Sequence, residues 1–278
     1  MQKFYYTSTK VGNGVDITTI IGLIIGFAGL IGGYMMDGGH IDALVIPSAL
    51  LIVFGGTIGA VIVSFPGSQL KGTGSALNMA FRERKRNPNK VIDEIIEMAT
   101  IARREGVLAL EQRAMEAQDP FLHEGLQMVV DGTDPELTRQ ILELEMDALE
   151  NQHEEYAKIF EAAGGYAPTM GIIGTVLGLI HVLGNLTDPD SLAPAIAVAF
   201  TATLYGVFSA NVIYLPIATK IKVRSKEQIA EMELMLEGIL ALQAGENPQL
   251  IRKKLASFLH HNIRKGKGEA GAEREKER

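Results

Sequence analysis

The chain has 278 residues, a formal net charge of −7, 30 glycines, no cysteine and a mean hydropathy of +0.14. The lack of cysteine removes disulfide frameworks, thiolate nucleophiles and cysteine-based zinc sites. An acidic chain also lacks the basic footprint that sequence-independent binding to nucleic acid requires.

The apolar residues are concentrated in blocks. Ile17 to Met36, Ala43 to Phe65, Ala162 to Thr187 and Ser191 to Thr219 contain no Asp, Glu, Lys or Arg. A helix of about 20 such residues crosses the roughly 30 Å of bilayer hydrocarbon, and one charge at its centre would cost about 2.5–3.5 kcal/mol. The first block is longer than the apolar region of a secretory signal. The tight link Asp37–Asp42 leads straight into the second block, so these two form a helical hairpin.

Lys and Arg set the orientation. The links Asp37–Asp42 and Leu186–Pro194 carry none, whereas Lys71, Arg82, Arg84, Lys85, Arg86 and Lys90 follow the second block and Lys220, Lys222, Arg224 and Lys226 follow the fourth. The positive-inside rule places both basic flanks and both termini in the cytoplasm. The expected fold is an all-α integral membrane protein with four transmembrane helices. A helical cytoplasmic domain lies between spans 2 and 3, and a C-terminal cytoplasmic helical segment follows span 4. In chain order the parts are a cytoplasmic N-terminus (1–16), the first transmembrane hairpin (17–65), a cytoplasmic helical domain (66–161), the second hairpin (162–219), cytoplasmic helices (220–263) and a disordered tail (264–278).

Inside the cytoplasmic domain, Pro88 suits the first turn of a helix whose apolar positions include Val91, Ile95 and Met98. Gly106 interrupts it, and Leu108 to Ala117 resume. Asp119-Pro120 starts another helix, which ends near Asp131-Gly132. Thr133-Asp134-Pro135 starts one that reads through Leu137, Ile141, Leu144 and Leu149 toward the third span. Glu246-Asn247-Pro248 starts the last.

The spans hold one side chain that titrates near neutrality, His181, and no carboxylate. Membrane transport ordinarily uses an ionisable group inside the bilayer. If this chain moves a cation, the binding acid comes from another protein. Glycines recur at Gly22, Gly26, Gly29 and Gly33 and at Gly171, Gly174 and Gly178, which suits close helix packing either within a subunit or against a neighbour. Thr169, Thr175, Thr201, Thr203, Tyr205, Ser209 and Asn211 place polar groups in the last two spans. Most can bond to their own preceding turn, although hydroxyl and carbonyl oxygens are also the ligands a dehydrated sodium ion takes. As structural residues alone, Pro168 would mark a helix start and Pro216 a kink. No phosphate-binding loop, His-Glu metal motif or nucleophile elbow is present, so an enzyme is not expected.

Two runs, Gly164-Gly-Tyr-Ala-Pro-Thr-Met-Gly-Ile-Ile-Gly-Thr-Val-Leu-Gly-Leu-Ile180 and Ala197-Val-Ala-Phe-Thr-Ala-Thr-Leu-Tyr-Gly206, resemble the A subunit of the bacterial flagellar stator, the MotA/PomA family. Ala102-Arg-Arg-Glu-Gly-Val-Leu-Ala-Leu-Glu111, Leu186-Thr-Asp-Pro-Asp190, Tyr214-Leu-Pro-Ile-Ala218 and Gly245-Glu-Asn-Pro248 resemble it too. The resemblance implies a homopentamer ring in the inner membrane, in contact with lipids, around a MotB/PomB-like B subunit that supplies the ion-binding aspartate. It implies torque on the rotor protein FliG, driven by cation flow. It further implies no cofactor beyond the transported Na+ or H+, no resident metal and no nucleic-acid partner.

Carried over by position, Pro168, Thr175, Thr203, Tyr205 and Pro216 belong to the ion path and its gating. Arg103, Arg104 and Glu111 belong to the rotor contact. Threonine at 175 and 203 resembles sodium-driven members, with transient Na+ near the pair, while Ala202 stands where some of those members have a further threonine. Proton drive is the alternative. The competing readings are an energiser of the ExbB/TolQ type, which has one span before its cytoplasmic segment where this chain has two, and a non-conducting membrane scaffold.

Overall fold

The computed structural model describes residues 13–84, 87–184 and 189–259. The tail expected at 264–278, most of the N-terminal segment and the link at 185–188 lie outside them. Among the described residues four helices are long and apolar enough to cross a bilayer: Ile17–Met36, Ile41–Ser64, Pro135–Gly184 and Leu192–Gln243. Two three-residue strands, Asn13–Val15 and Arg82–Arg84, pair with each other and are the exception to the all-α expectation among the described residues.

The chain divides into two compact units. One takes in Gly14–Glu83 and Gln152–Arg224 and holds the four apolar blocks. The other takes in Arg84–Asn151 and the chain from Ser225 onward, and is rich in charge.

In the charged unit the helices begin where local chemistry dictates. Asn87, Asp119, Asp134 and Asn247 each precede a proline, and each side chain accepts the backbone N–H two residues on, at 3.0, 2.9, 3.0 and 2.9 Å. The Asx oxygen satisfies an amide that the first turn leaves without a partner, and the proline at the next position supplies a helical φ while giving up an amide the helix does not need. Gly106 ends the helix Pro88–Glu105 at φ +90°, a backbone conformation that a side chain would oppose. The chain then enters a tight 3-10 turn, Val107–Leu110, and the short helix Glu111–Glu116. These elements bury one apolar core built on Ile95, Met98, Leu110, Phe121, Leu126, Leu142, Met235, Ile239 and Ile251. Gly125 and Gly238 let Ile239 and Ile95 settle directly onto backbone.

In the apolar unit the structure extends two expected elements and corrects one. The third and fourth apolar blocks are parts of helices of 50 and 52 residues. Pro168 is not a helix start; it lies inside the unbroken helix Pro135–Gly184. Its missing amide frees the Gly164 carbonyl alone, and a helix in lipid gains by keeping all its other backbone bonds. At Pro216 the chain responds with a wider turn. Ser209–Tyr214, immediately upstream, is π-helical, which absorbs the hydrogen bond that proline removes from the ladder.

Candidate functional site

The third and fourth spans meet backbone to backbone. A Cβ placed on Gly171 would stand 2.9 Å from the Ala202 carbonyl oxygen and 3.1 Å from the Thr203 Cα, and one on Gly178 would stand 2.7 Å from the Ala199 Cβ. Gly206 faces the Ala167 carbonyl oxygen and the Gly171 Cα in the same way. Gly171, Gly174 and Gly178 are therefore spent within the subunit. In the first span, Gly22, Gly29 and Gly33 have no atom within 4 Å of where a Cβ would stand, and only Gly26 meets a neighbour, Val212.

This close approach brings two of the candidate ion-path residues together. Thr175 Oγ1 lies 3.1 Å from the carbonyl oxygen of Gly171 on its own helix and 3.0 Å from that of Ala199 on the fourth, and it shares a hydrogen bond with Thr203 Oγ1. Thr175 has one hydroxyl proton to donate, so it serves one carbonyl at a time while its lone pairs accept from Thr203. Both side chains are half-buried. Four oxygens thus gather at the helix crossing with no acid among them. Among the described residues no three His, Cys, Asp or Glu side chains converge on a point.

Thr169, Ser209 and Asn211 bond within their own helices. Thr169 donates to the Tyr166 carbonyl at 2.7 Å, Ser209 to Gly206 at 3.2 Å and Asn211 to Val207 at 2.8 Å. Two tyrosines reach across instead: the Tyr166 hydroxyl pairs with Ser64 Oγ of the second span at 2.8 Å, and Tyr205 bridges at the other site. Its hydroxyl donates to the Leu44 carbonyl and accepts from the Ile46 N–H at 3.3 Å, bridging the fourth span to the break where Ile41–Leu44 hands over to the helix beginning at Pro47. Pro168 and Pro216 sit on the same two long helices as the threonines.

A third feature of this unit had not been singled out in the sequence. Asp16 is only 3% exposed. It caps the first span by accepting from the Thr18 and Thr19 amides at 3.1 and 3.3 Å, while its other oxygen takes Lys220 Nζ at 2.6 Å and Arg224 at 2.8 Å. Burial acts to raise its pKa, but hydrogen bonds from Lys220, Thr18, Arg224 and the Thr19 amide outweigh that and hold the carboxyl well below the usual range. The visible signals were a capping acid directly before an apolar run and an i, i+4 basic pair after the fourth block.

In the charged unit, Arg103 and Arg104 occupy the last turn of Pro88–Glu105, and Glu111 opens the next helix. All three are exposed and form no ion pair among the described residues. Their neighbour Arg113, by contrast, is committed to Glu97 at 3.2 Å and Glu116 at 3.3 Å.

Comparison with known proteins agrees with this layout. Residues 20–106 match the motility protein A N-terminal family, and residues 113–234 match the MotA/TolQ/ExbB proton channel family. The chain is 39% identical to motility protein A of Bacillus subtilis (strain 168), over 95% of this chain and 100% of that one. The chain belongs to the MotA family. Another similar relative, the chemotaxis protein PomA of Vibrio alginolyticus, is 37% identical over 90% of this chain and 98% of its own. Among solved structures, the flagellar MotAB stator complex from Bacillus subtilis superposes with a TM-score of 0.82 and 40% identity, covering 87% of this chain and 95% of that one. The MotA-family match thus takes in both the threonine crossing and the charged unit.

Tyr205 gives a first test within this MotA-family chain. Tyr205→Phe removes the partner of two backbone groups at a helix break in an apolar setting. The expected loss is about 1 kcal/mol, read as a fall of a few degrees in the melting temperature of the detergent-purified chain. An unchanged melting temperature would show that the two groups find other partners.

Proposed function

We propose that this chain is the A subunit of a flagellar stator. In this reading it forms a homopentamer in the inner membrane, with both termini in the cytoplasm, around a B subunit whose membrane helix supplies the ion-carrying aspartate. Its charged unit works against the rotor protein FliG. The carrying observation is the pairing of Thr175 and Thr203 at the crossing of two spans that hold no carboxylate. Such a surface can line an ion path without itself binding a charge tightly. The absence of an acid is what a sleeve around an acid-bearing helix requires, since a second carboxylate there would compete for the ion. The hard oxygens at the crossing favour sodium over the proton, which needs only a titrating acid and water. One charge falling through 100 mV releases about 2.3 kcal/mol, so passage of a few ions suffices for a mechanical step.

The test is swimming speed against external sodium at fixed proton-motive force, in cells that rely on this chain and its B subunit. Speed is expected to rise with sodium and saturate, and Thr203→Ala is expected to shift the half-saturating concentration upward several-fold. Speed that ignores sodium and follows the proton gradient would overturn the choice of ion. Cells that swim normally without the chain would overturn the stator assignment.

A further inference from the structure

The turn between Arg104 and Glu111 does more than carry charge. Val107–Leu110 is a 3-10 helix, in which residues three apart eclipse, so Leu108 and Glu111 lie on one side. Four residues further along the helix Glu111–Glu116, Met115 continues that side. Leu108 is 72% exposed and Met115 66%, while Leu110 and Ala114, on the opposite side, are completely buried. The buried pair fixes the turn to the core, so the backbone that carries the exposed pair has little freedom left to lose on contact. Arg103 and Arg104 directly precede this apolar, acidic, apolar stripe in the chain, in the last turn before Gly106, and form no ion pair among the described residues.

We infer that Leu108 and Met115 are the apolar anchors of the contact that Arg103, Arg104 and Glu111 make with the rotor. This inference rests on the rotor-facing reading of that surface. Exposed charges steer encounter and fix register, but each is weak and screened by salt. Contacts that hold are centred on apolar side chains ringed by polar ones. The complementary surface presents an apolar side chain between a basic group for Glu111 and an acidic group for the two arginines.

The test uses the full chain with its B subunit in swimming cells. Leu108→Asn with Met115→Asn is expected to lower stall torque at least fivefold at unchanged membrane levels. Leu144→Asn, at a site 68% exposed elsewhere in the same unit, should leave torque intact. Because the chain has no cysteine, Leu108→Cys provides a unique handle and is expected to crosslink to cysteines placed across the facing rotor surface. Full torque in the double variant, with torque lost in Arg103→Glu or Glu111→Lys, would overturn the apolar anchors and leave the rotor reading standing. Full torque in all of these variants would overturn both. If the double variant fails to reach the membrane, the Leu108→Cys crosslink decides: its formation supports the anchors and its absence overturns them.

Discussion

Gly206→Ala is expected to abolish ion-driven motility. A Cβ at this position would run into the Ala167 carbonyl oxygen and stand 3.1 Å from the Gly171 Cα, so the obstacle on the far side is backbone and has no rotamer to change. The third and fourth spans would have to separate. Overpacking of this kind costs about 1–3 kcal/mol. The functional loss should exceed what that figure suggests, because the same separation pulls Thr175 away from Thr203 and from the Ala199 carbonyl. Gly184→Ala, at the end of the third-span helix and with no atom within 4 Å of where a Cβ would stand, should leave motility and membrane levels near those of the parent. Equal behaviour of the two variants would contradict the backbone crossing. The measurement is swimming speed normalised to the amount of chain in the membrane.

Asp16→Asn carries the second large expectation. The carboxylate compensates Lys220 and Arg224 in a setting where it is 3% exposed, and it also ties the start of the first span to the end of the fourth. Removing the carboxylate leaves Lys220 and Arg224, 27% and 15% exposed, without compensation, at a cost below the roughly 3–5 kcal/mol of a fully buried pair. The first span has no buried residue of its own, so it has little else with which to hold its place in the subunit. A drop of several degrees or more in the melting temperature of the detergent-purified chain is expected, with reduced membrane levels in cells. Lys220→Gln in the same chain should recover part of the loss, because it removes one uncompensated cation. The folded-state pKa of Asp16 is depressed, so its contribution is fully present above the unfolded value near 4. That support is lost as pH falls through the folded value, and stability near neutrality should not depend on this group.

Legibility from the sequence followed the range of the interaction. Helix starts at Asn87, Asp119, Asp134 and Asn247 were readable because an Asx cap and a following proline act within three residues. The four spans were readable because charge-free length is a property of composition. Where the third span begins was not, since an apolar block marks the medium a helix crosses and says nothing about where its hydrogen-bond ladder stops. That is why Pro168 read as a start and lies mid-helix. The π-helical turn at Ser209–Tyr214 and the strand pair Asn13–Val15 with Arg82–Arg84 depend on one missing amide and on a distant partner, and neither leaves a periodic signal.

The site divides in the same way. Thr175 and Thr203 could each be marked from the sequence, yet their shared hydrogen bond exists only because Gly171, Gly178 and Gly206 remove the side chains that would keep the helices apart. The bonds of Tyr205 to Leu44 and Ile46 and of Asp16 to Arg224 join residues far apart in the chain, so no local pattern announces them. Arg103, Arg104 and Glu111 look like any solvated charges, and the structure leaves them so, exposed and without an ion pair among the described residues, while Arg113 beside them is paired.

The central claim is that these spans conduct only when a second polypeptide brings an acid into them. The most direct measurement is cation flux into proteoliposomes containing the purified chain alone, the chain with its B subunit, and the chain with a B subunit whose membrane aspartate is replaced by asparagine. Flux is expected in the second preparation only. Selective cation flux through the chain by itself would contradict the account.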